Sequence, residues 1–300
     1  LINADNSTVD SGKFGGNGVI KIVTDSTCDI PAPLLEQHGI IVVPQVLIWG
    51  DKQYRDRIDM QPEEFYQRLT TESGRPQTSQ PGEHDFSRAY EKAADQGATT
   101  IINLVLSSAL SGTIEAARKA AQSFAIPVEV IDSRATSMGL GWQVLAAARA
   151  IEQGVDLPGV LTCIDKVRRK IFQYAGLDTL EYLKKGGRIG DAARWATSVL
   201  RIKPVVALNI LTNMVEPIGL VRPYNALVDL LDRKFFDQLR GRKNLRIAVL
   251  HGNMLASAEG LAERIRAEIA PLELFVNSTG PAVGLHTGPG ALGICGYADD

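Results

Sequence analysis

Between residues 19 and 153 short runs rich in β-branched residues alternate with stretches whose apolar residues recur at helical spacing, and this alternation constrains the fold more than any other feature. VIKIVT (19–24) stops at Asp25-Ser26-Thr27, and a short helical stretch over 31–38 ends at Gly39. IIVVPQVLIW (40–49) is a second strand region broken by Pro44. A helix over about 62–70 follows, with Pro62, Glu63 and Glu64 suited to a first turn. Beyond the loop 75–80 come a helix over 81–96, the strand TTIINLVL (99–106), a helix over 113–124, the strand VEVI (128–131) and a helix over 135–153. Strand–helix–strand order of this kind predicts a mostly parallel sheet flanked by helices.

Composition shifts at Gly154-Val155-Asp156-Leu157-Pro158, which places a boundary between an N-terminal domain of 19–155 and a C-terminal domain of 156–300. The 300 residues agree with two domains at about 150 residues each. The second half reads as a helix to about 169, the strand IFQYAGL, a helix over 179–185, the turn Lys185-Gly186-Gly187-Arg188 and a helix through Leu200. Strands over 204–209, 215–221 and 245–251 are separated by helices over 224–239 and 255–269, and strands over 272–276 and 291–298 close the chain. The first 18 residues are polar and glycine-rich, read as a flexible leader or expression remnant outside the fold. No repeat of solenoid period is present.

Lys and Arg number 32 against 34 Asp and Glu, so a net charge of −2 gives no footprint for nucleic acid or an anionic membrane surface. Cys28, Cys163 and Cys295 form no CxxC pair and read as reduced thiols of a cytoplasmic protein. Residues 274–298 carry no Asp, Glu, Lys or Arg, yet six glycines and two prolines there exclude a lipid-spanning helix, and with it stable membrane insertion.

Chemistry concentrates in a few loops. Leu106-Ser107-Ser108-Ala109-Leu110-Ser111-Gly112-Thr113 joins a strand to a helix, where open α/β sheets hold ligands and a helix start offers unpaired N–H groups to an anion. Ser111 supplies a hydroxyl and Gly112 permits close approach; equally, Ser111 or Thr113 would serve as a helix cap. Thr78 and Ser79 precede Pro81 and are open to the same two readings. Gly288, Gly290 and Gly293 match GxGxxG, but the motif does not follow a first strand and only seven residues remain after it, so a dinucleotide site is rejected. His286 stands in that loop of small residues with no charged neighbour. Asp25-Ser26-Thr27 and Asp132-Ser133 follow strands and read either as lining of the same crevice or as ordinary strand-end turns, and Lys184-Lys185-Gly186-Gly187-Arg188 reads as a phosphate-facing turn or as ordinary capping. No metal-ligand set is present.

Taken in order, Asp25-Ser26-Thr27, Thr78-Ser79-Gln80-Pro81, the 106–113 loop, Tyr182-Leu183-Lys184-Lys185-Gly186-Gly187-Arg188-Ile189, Ile202-Lys203-Pro204 and His286-Thr287-Gly288-Pro289-Gly290 resemble the DegV-type fatty-acid-binding proteins. The resemblance implies a Rossmann-like parallel first domain and a second domain with a mixed or antiparallel sheet. It also implies that a long-chain fatty acid such as palmitate or oleate lies between them as ligand, without cofactor or metal, with the 280–293 loop returning to the crevice. Thr78, Ser111 and His286 then hold the carboxylate, with Gly112 and Ser79 as secondary contacts. Relatives of the family carry the acyl chain for a bacterial fatty acid kinase, and the resemblance assigns Arg188 to that ATP-binding partner or its phosphate. The competing expectation is a serine-dependent acyl transferase or hydrolase with Ser111 as nucleophile and His286 as base. ALSGT, however, is not the GxSxG elbow.

Overall fold

The structure, a computed structural model, describes residues 18–72, 74, 76–195, 202–239 and 241–299. Nearly all of the leader, Arg75 and the end of the helix read through Leu200 lie outside the described residues. The first half contains β1 (Ile20–Asp25), α1 (Ala32–Gln37), β2 (Ile41–Val43), β3 (Val46–Trp49), β4 (Lys52–Arg55) and α2 (Pro62–Thr71). It continues with β5 (Gln77–Ser79), α3 (Glu83–Asp95), β6 (Thr100–Val105), α4 (Thr113–Gln122), β7 (Val128–Asp132) and α5 (Met138–Glu152).

Four of these strands form a parallel sheet in the order β2-β1-β6-β7. Every residue of β6 is buried, as a central strand covered on both faces requires. α3 and α4 pack on one face around Val23, Ile101 and Val105; α1 and α5 pack on the other around Ile22, Ile102 and Leu104. The chain leaves β1 toward β2 and later returns to β6 on the opposite side, so the carboxyl ends of β1 and β6 bound a topological switch point.

Pro44 divides the apolar run 40–49 between two sheets. β2 stays in the parallel sheet, while β3 pairs antiparallel with β4 and with β5. The sequence predicts a loop where β5 lies, because Gln77-Thr78-Ser79 carries no apolar alternation. It is a strand only because the edge of β3 accepts its backbone hydrogen bonds, in a register that sets Thr78 opposite Leu47. Beneath this small sheet Leu47, Trp49, Phe65 and Tyr66 form a separate core that also takes in Leu285.

The second half contains α6 (Leu157–Lys170), β8 (Phe172–Gly176), α7 (Glu181–Lys185), β9 (Lys203–Asn209), β10 (Met214–Val221) and α8 (Tyr224–Leu239). β11 (Leu245–His251), α9 (Leu255–Ile269), β12 (Glu273–Ser278), α10 (Pro281–Thr287) and β13 (Leu292–Ala298) complete it. Its sheet runs β10-β9-β8-β13-β11-β12 and is mixed, with only β11 and β12 parallel. The molecule is therefore two α/β domains, one parallel and one mixed. α8 and α9 cover the outer face of the mixed sheet through Leu227, Leu231, Phe235, Leu261 and Ile265.

The inner face is shared with the first domain. α5 is apolar around its whole circumference, with 12 of its 15 residues buried, which is the pattern of a helix enclosed on all sides. Ala248, Leu250, Cys295 and Tyr297 of the mixed sheet belong to the same buried cluster as Ile102 and Leu104 of the parallel one. Trp142 of α5 lies against Phe275 and Tyr297.

One expectation is corrected here. Residues 280–293 are not a loop throughout: α10 opens the segment with Gly280 as N-cap and Pro281 in its first turn, so His286 stands on a helix. Its glycine density reads as helix-breaking, yet Gly284 serves packing, since a Cβ there would collide with the Tyr66 hydroxyl. Among the described residues no helix is long and apolar enough to cross a membrane.

Candidate functional site

A cavity of about 440 Å³ lies where the carboxyl edge of the parallel sheet faces the inner side of the mixed sheet. Its volume falls in the range of small-molecule sites. Thr27, Leu106, Leu110 and Ser111 enter from the ends of β1 and β6, and Thr136 and Ser137 from just before α5. Ala175, Val206, Leu208, Val215 and Leu250 enter from the mixed sheet. Paired positions confirm that they share one face: Ala175 is opposite Val206, and Leu208 is opposite Val215. The wall is thus polar at a sheet edge and mostly apolar along a sheet face, where Gln173, two positions before Ala175, adds an amide.

Of the residues singled out by sequence, Thr78, Ser79, Ser111, Arg188 and His286 all line this cavity, although they come from four elements or turns spread over more than 200 positions. Thr78 Oγ1 lies 3.1 Å from His286 Nε2. Ser111 Oγ lies 2.9 Å from Thr113 Oγ1 and accepts from the Thr113 N–H at 3.3 Å. Gly112 is the N-cap of α4 and does not itself line the cavity; a Cβ on it would strike the Gln80 side-chain carbonyl. Arg188 donates through Nε to the Leu110 carbonyl at 2.9 Å and through Nη1 to the Gly186 carbonyl at 2.6 Å. It thereby pins the turn that carries Ser111.

His286 is held in the neutral form. Burial, and then the nearby Arg188 charge, pull its pKa down to about 4. Its Nδ1 is buried without a hydrogen-bond partner among the described residues and faces Gly186, where a Cβ would collide with that nitrogen. The glycine in Lys185-Gly186-Gly187-Arg188 is therefore required by the imidazole. Leu285, the neighbour of His286, is seated in the core under β3, so one helix turn ties the ring to the sheet that bears Thr78.

α10 is oriented by carboxylates from the first domain. Asp29 accepts the Gly280 N–H at 2.8 Å and the Ser137 hydroxyl at 2.5 Å, and it pairs with Arg57 at 2.7 Å. Asp56 accepts from the Ser26 hydroxyl at 2.6 Å and from the Ala282 N–H at 3.4 Å. The unpaired N–H groups of a helix start are thus satisfied by residues more than 200 positions away. Burial raises the Asp56 pKa to about 7, against the opposing pull of Ser26 and Arg57. None of these partnerships is visible in the spacing of the sequence.

Sequence reasoning also missed Gln45. It is buried at the wall of the same cavity, and its side chain reaches Thr113 Oγ1 at 3.2 Å while its N–H donates to Ser26 Oγ at 2.9 Å. The available signal was a single amide, directly after Pro44, inside an otherwise apolar run. Among the described residues no cluster of His, Cys, Asp or Glu has the arrangement of a metal site.

The profile of the family described as "Uncharacterised protein, DegV family" matches residues 19–299. The chain belongs to the DegV family. A DegV domain-containing protein of Streptomyces coelicolor is 36% identical over 277 residues, covering 92% of this chain and 97% of the relative. The solved DegV family protein from Thermus thermophilus, described as fatty-acid binding, superposes with a TM-score of 0.87 at 35% identity, over 93% of this chain and 99% of that one. DegV of Bacillus subtilis, described as a fatty acid binding protein, gives a TM-score of 0.86 at 27% identity, over 94% and 100%. The two-domain DegV architecture accounts for why the motifs of this chain, scattered in sequence, converge on one cavity.

Proposed function

We propose that this protein binds a long-chain fatty acid, of the palmitate or oleate class, between an N-terminal domain of residues 19–155 and a C-terminal domain of 156–300. The observation that carries this reading is the division of a single cavity into a rim of hydroxyls and imidazole and an apolar sheet face. An amphiphile with one acceptor head matches both walls. Thr78, Ser111 and His286 hold the carboxylate, and Ser79 and Gly112 shape the rim beside them. Hydrogen bonds to a charged acceptor contribute about 1.5–3 kcal/mol each. Each buried methylene contributes about 0.8 kcal/mol, so some 14 methylenes supply about 11 kcal/mol before the cost of association. The chain therefore sets affinity and the rim sets orientation. The fatty-acid binding described for the Thermus and Bacillus proteins supports the same ligand class.

A further part of the reading is that the protein is a carrier in the cytoplasm, a setting with which its three unpaired cysteines accord. It presents the carboxylate to a separate ATP-binding fatty acid kinase subunit for acyl phosphate formation, with Arg188 at the junction. The hydrolase reading is disfavoured by geometry. His286 Nε2 is engaged by Thr78 rather than Ser111, and no carboxylate orients Nδ1.

The test is solvent extraction of the purified protein with mass spectrometry, followed by titration with palmitate and oleate. A co-purifying acyl chain and saturable binding are expected; absence of both overturns the reading. For the kinase step, Arg188→Ala is assayed at saturating palmitate, because releasing the Ser111 turn lowers its affinity, and the fully loaded variant no longer forms acyl phosphate when the ATP-binding subunit is added. Unchanged turnover removes Arg188 from that role.

A further inference from the structure

The hydroxyl of Ser111 can donate to a ligand or accept from one, and the residues behind it decide which. Asp25, at the end of β1, is fully buried. Its Oδ1 accepts the Thr27 N–H at 2.9 Å and the Thr27 hydroxyl at 2.6 Å, and its Oδ2 accepts the Leu106 N–H at 2.8 Å. Backbone N–H groups only donate, so both oxygens of Asp25 act as acceptors. Burial raises the Asp25 pKa, against the opposing pull of Thr27, Leu106 and the nearby Gln45 side chain. The Gln45 amide turns its NH2 end to Thr113, with Nε2 3.2 Å from Thr113 Oγ1.

The direction then propagates. Thr113 is fully buried and accepts from Gln45, so its own proton goes to the other oxygen in reach, Ser111 Oγ at 2.9 Å. Ser111 Oγ also accepts the Thr113 N–H. Both of its lone pairs are occupied, and its remaining hydrogen is left for the cavity that Ser111 lines.

We infer that Gln45 and Thr113 are positioning residues that fix Ser111 as a donor, so that the head site selects an anionic oxygen acceptor over a neutral head group on the same tail. This rests on the fatty-acid reading above. A hydrogen-bond chain with one direction is also polarised along its length, which strengthens the terminal donor toward a charged acceptor.

The experiment titrates palmitate and hexadecanol, which share one tail, into the wild-type protein and into Gln45→Met, Thr113→Val and Thr113→Ser. Packing losses in a variant move both ligands together, whereas loss of donor direction moves only their ratio. Expected is a preference for palmitate in the wild type that falls about tenfold in Gln45→Met and in Thr113→Val, roughly the difference between a charge-assisted and a neutral hydrogen bond. Thr113→Ser, which keeps the hydroxyl, restores it. In a Ser111→Ala background the Gln45 substitution has no further effect on the ratio, because the group it orients is gone. An unmoved ratio in both Gln45→Met and Thr113→Val, with cooperative thermal unfolding retained, overturns the inference and leaves the fatty-acid reading standing. A wild type that binds neither ligand overturns the fatty-acid reading itself.

Discussion

The parallel sheet meets the cavity with its edge, and the mixed sheet meets it with a face. At the edge, strands stop and helices start, so backbone N–H groups, hydroxyls and buried carboxylates collect there: Asp25 and Thr27 after β1, Ser107 and Ser111 after β6. On the face, side chains project at every second position, and Ala175, Val206 and Leu208 present an apolar surface beside a single amide, Gln173, on the same side of β8. The same two kinds of secondary structure thus yield opposite chemistry according to whether a sheet is approached end-on or side-on. Both approaches meet at one cavity, so a single volume is bounded by donors on one side and by a largely apolar face on the other.

The largest effects should come from the face. Shortening the ligand from palmitate to decanoate removes six methylenes, about 5 kcal/mol, and affinity should fall by more than a thousandfold. Ala175→Phe should weaken palmitate at least a hundredfold by filling the tail space, while decanoate loses far less. Equal losses for both lengths would place the tail away from β8. Edge substitutions come next: Ser111→Ala and Thr78→Ala should each weaken palmitate about 10–100-fold and leave methyl palmitate nearly unchanged. If acid and ester suffer alike, these hydroxyls do not read the carboxylate.

Gly186→Ala tests the rim through its support. The new methyl collides with His286 Nδ1, so the ring must move away from Thr78, at a cost of about 1–3 kcal/mol in stability and about tenfold in palmitate affinity. A lowered melting temperature with unchanged affinity would show that the imidazole position is irrelevant to the head group. The smallest effect is the pH dependence of His286. Its folded pKa of about 4 lies below the ordinary 6.5, so below pH 6.5 the unfolded chain gains a proton that the native site refuses. Stability from this group is complete above pH 6.5 and is lost as pH falls toward 4, on the order of 1–2 kcal/mol by pH 5. Asp56, raised to about 7, works in the opposite sense: its contribution is complete below 3.8 and is lost as pH rises through 7. His286→Gln should therefore lose less stability than the wild type between pH 7 and pH 5 in thermal melts, with the Asp56 slope still present.

Much of this fold is legible along the chain because strands and helices announce themselves by local period. β6, α8, β11 and α9 lie within one or two residues of where alternation and helical spacing put them. Where reading failed, the deciding partner was distant. β5 is three polar residues made a strand by the edge of β3, and α10 is a helix because Gly284 lets it settle on Tyr66 and because Asp29 and Asp56 satisfy its first N–H groups. The site divides in the same way: hydroxyls at helix starts and a histidine among glycines stand out as residue types, whereas Gln45 passes for one polar interruption in an apolar run.

What the sequence determined by itself is the alternation that builds two α/β domains and the stock of donors from which the cavity rim is drawn. Tertiary structure alone decided which donors meet. Hydrogen bonds reach about 3 Å, while Thr78 and His286 are 208 residues apart, so only the packing of α10 between the small sheet and α7 brings them together. It also decided which way a donor points, because a hydroxyl takes its direction from its neighbours in space, and for Ser111 those neighbours are Thr113 and, 68 positions before Thr113, Gln45.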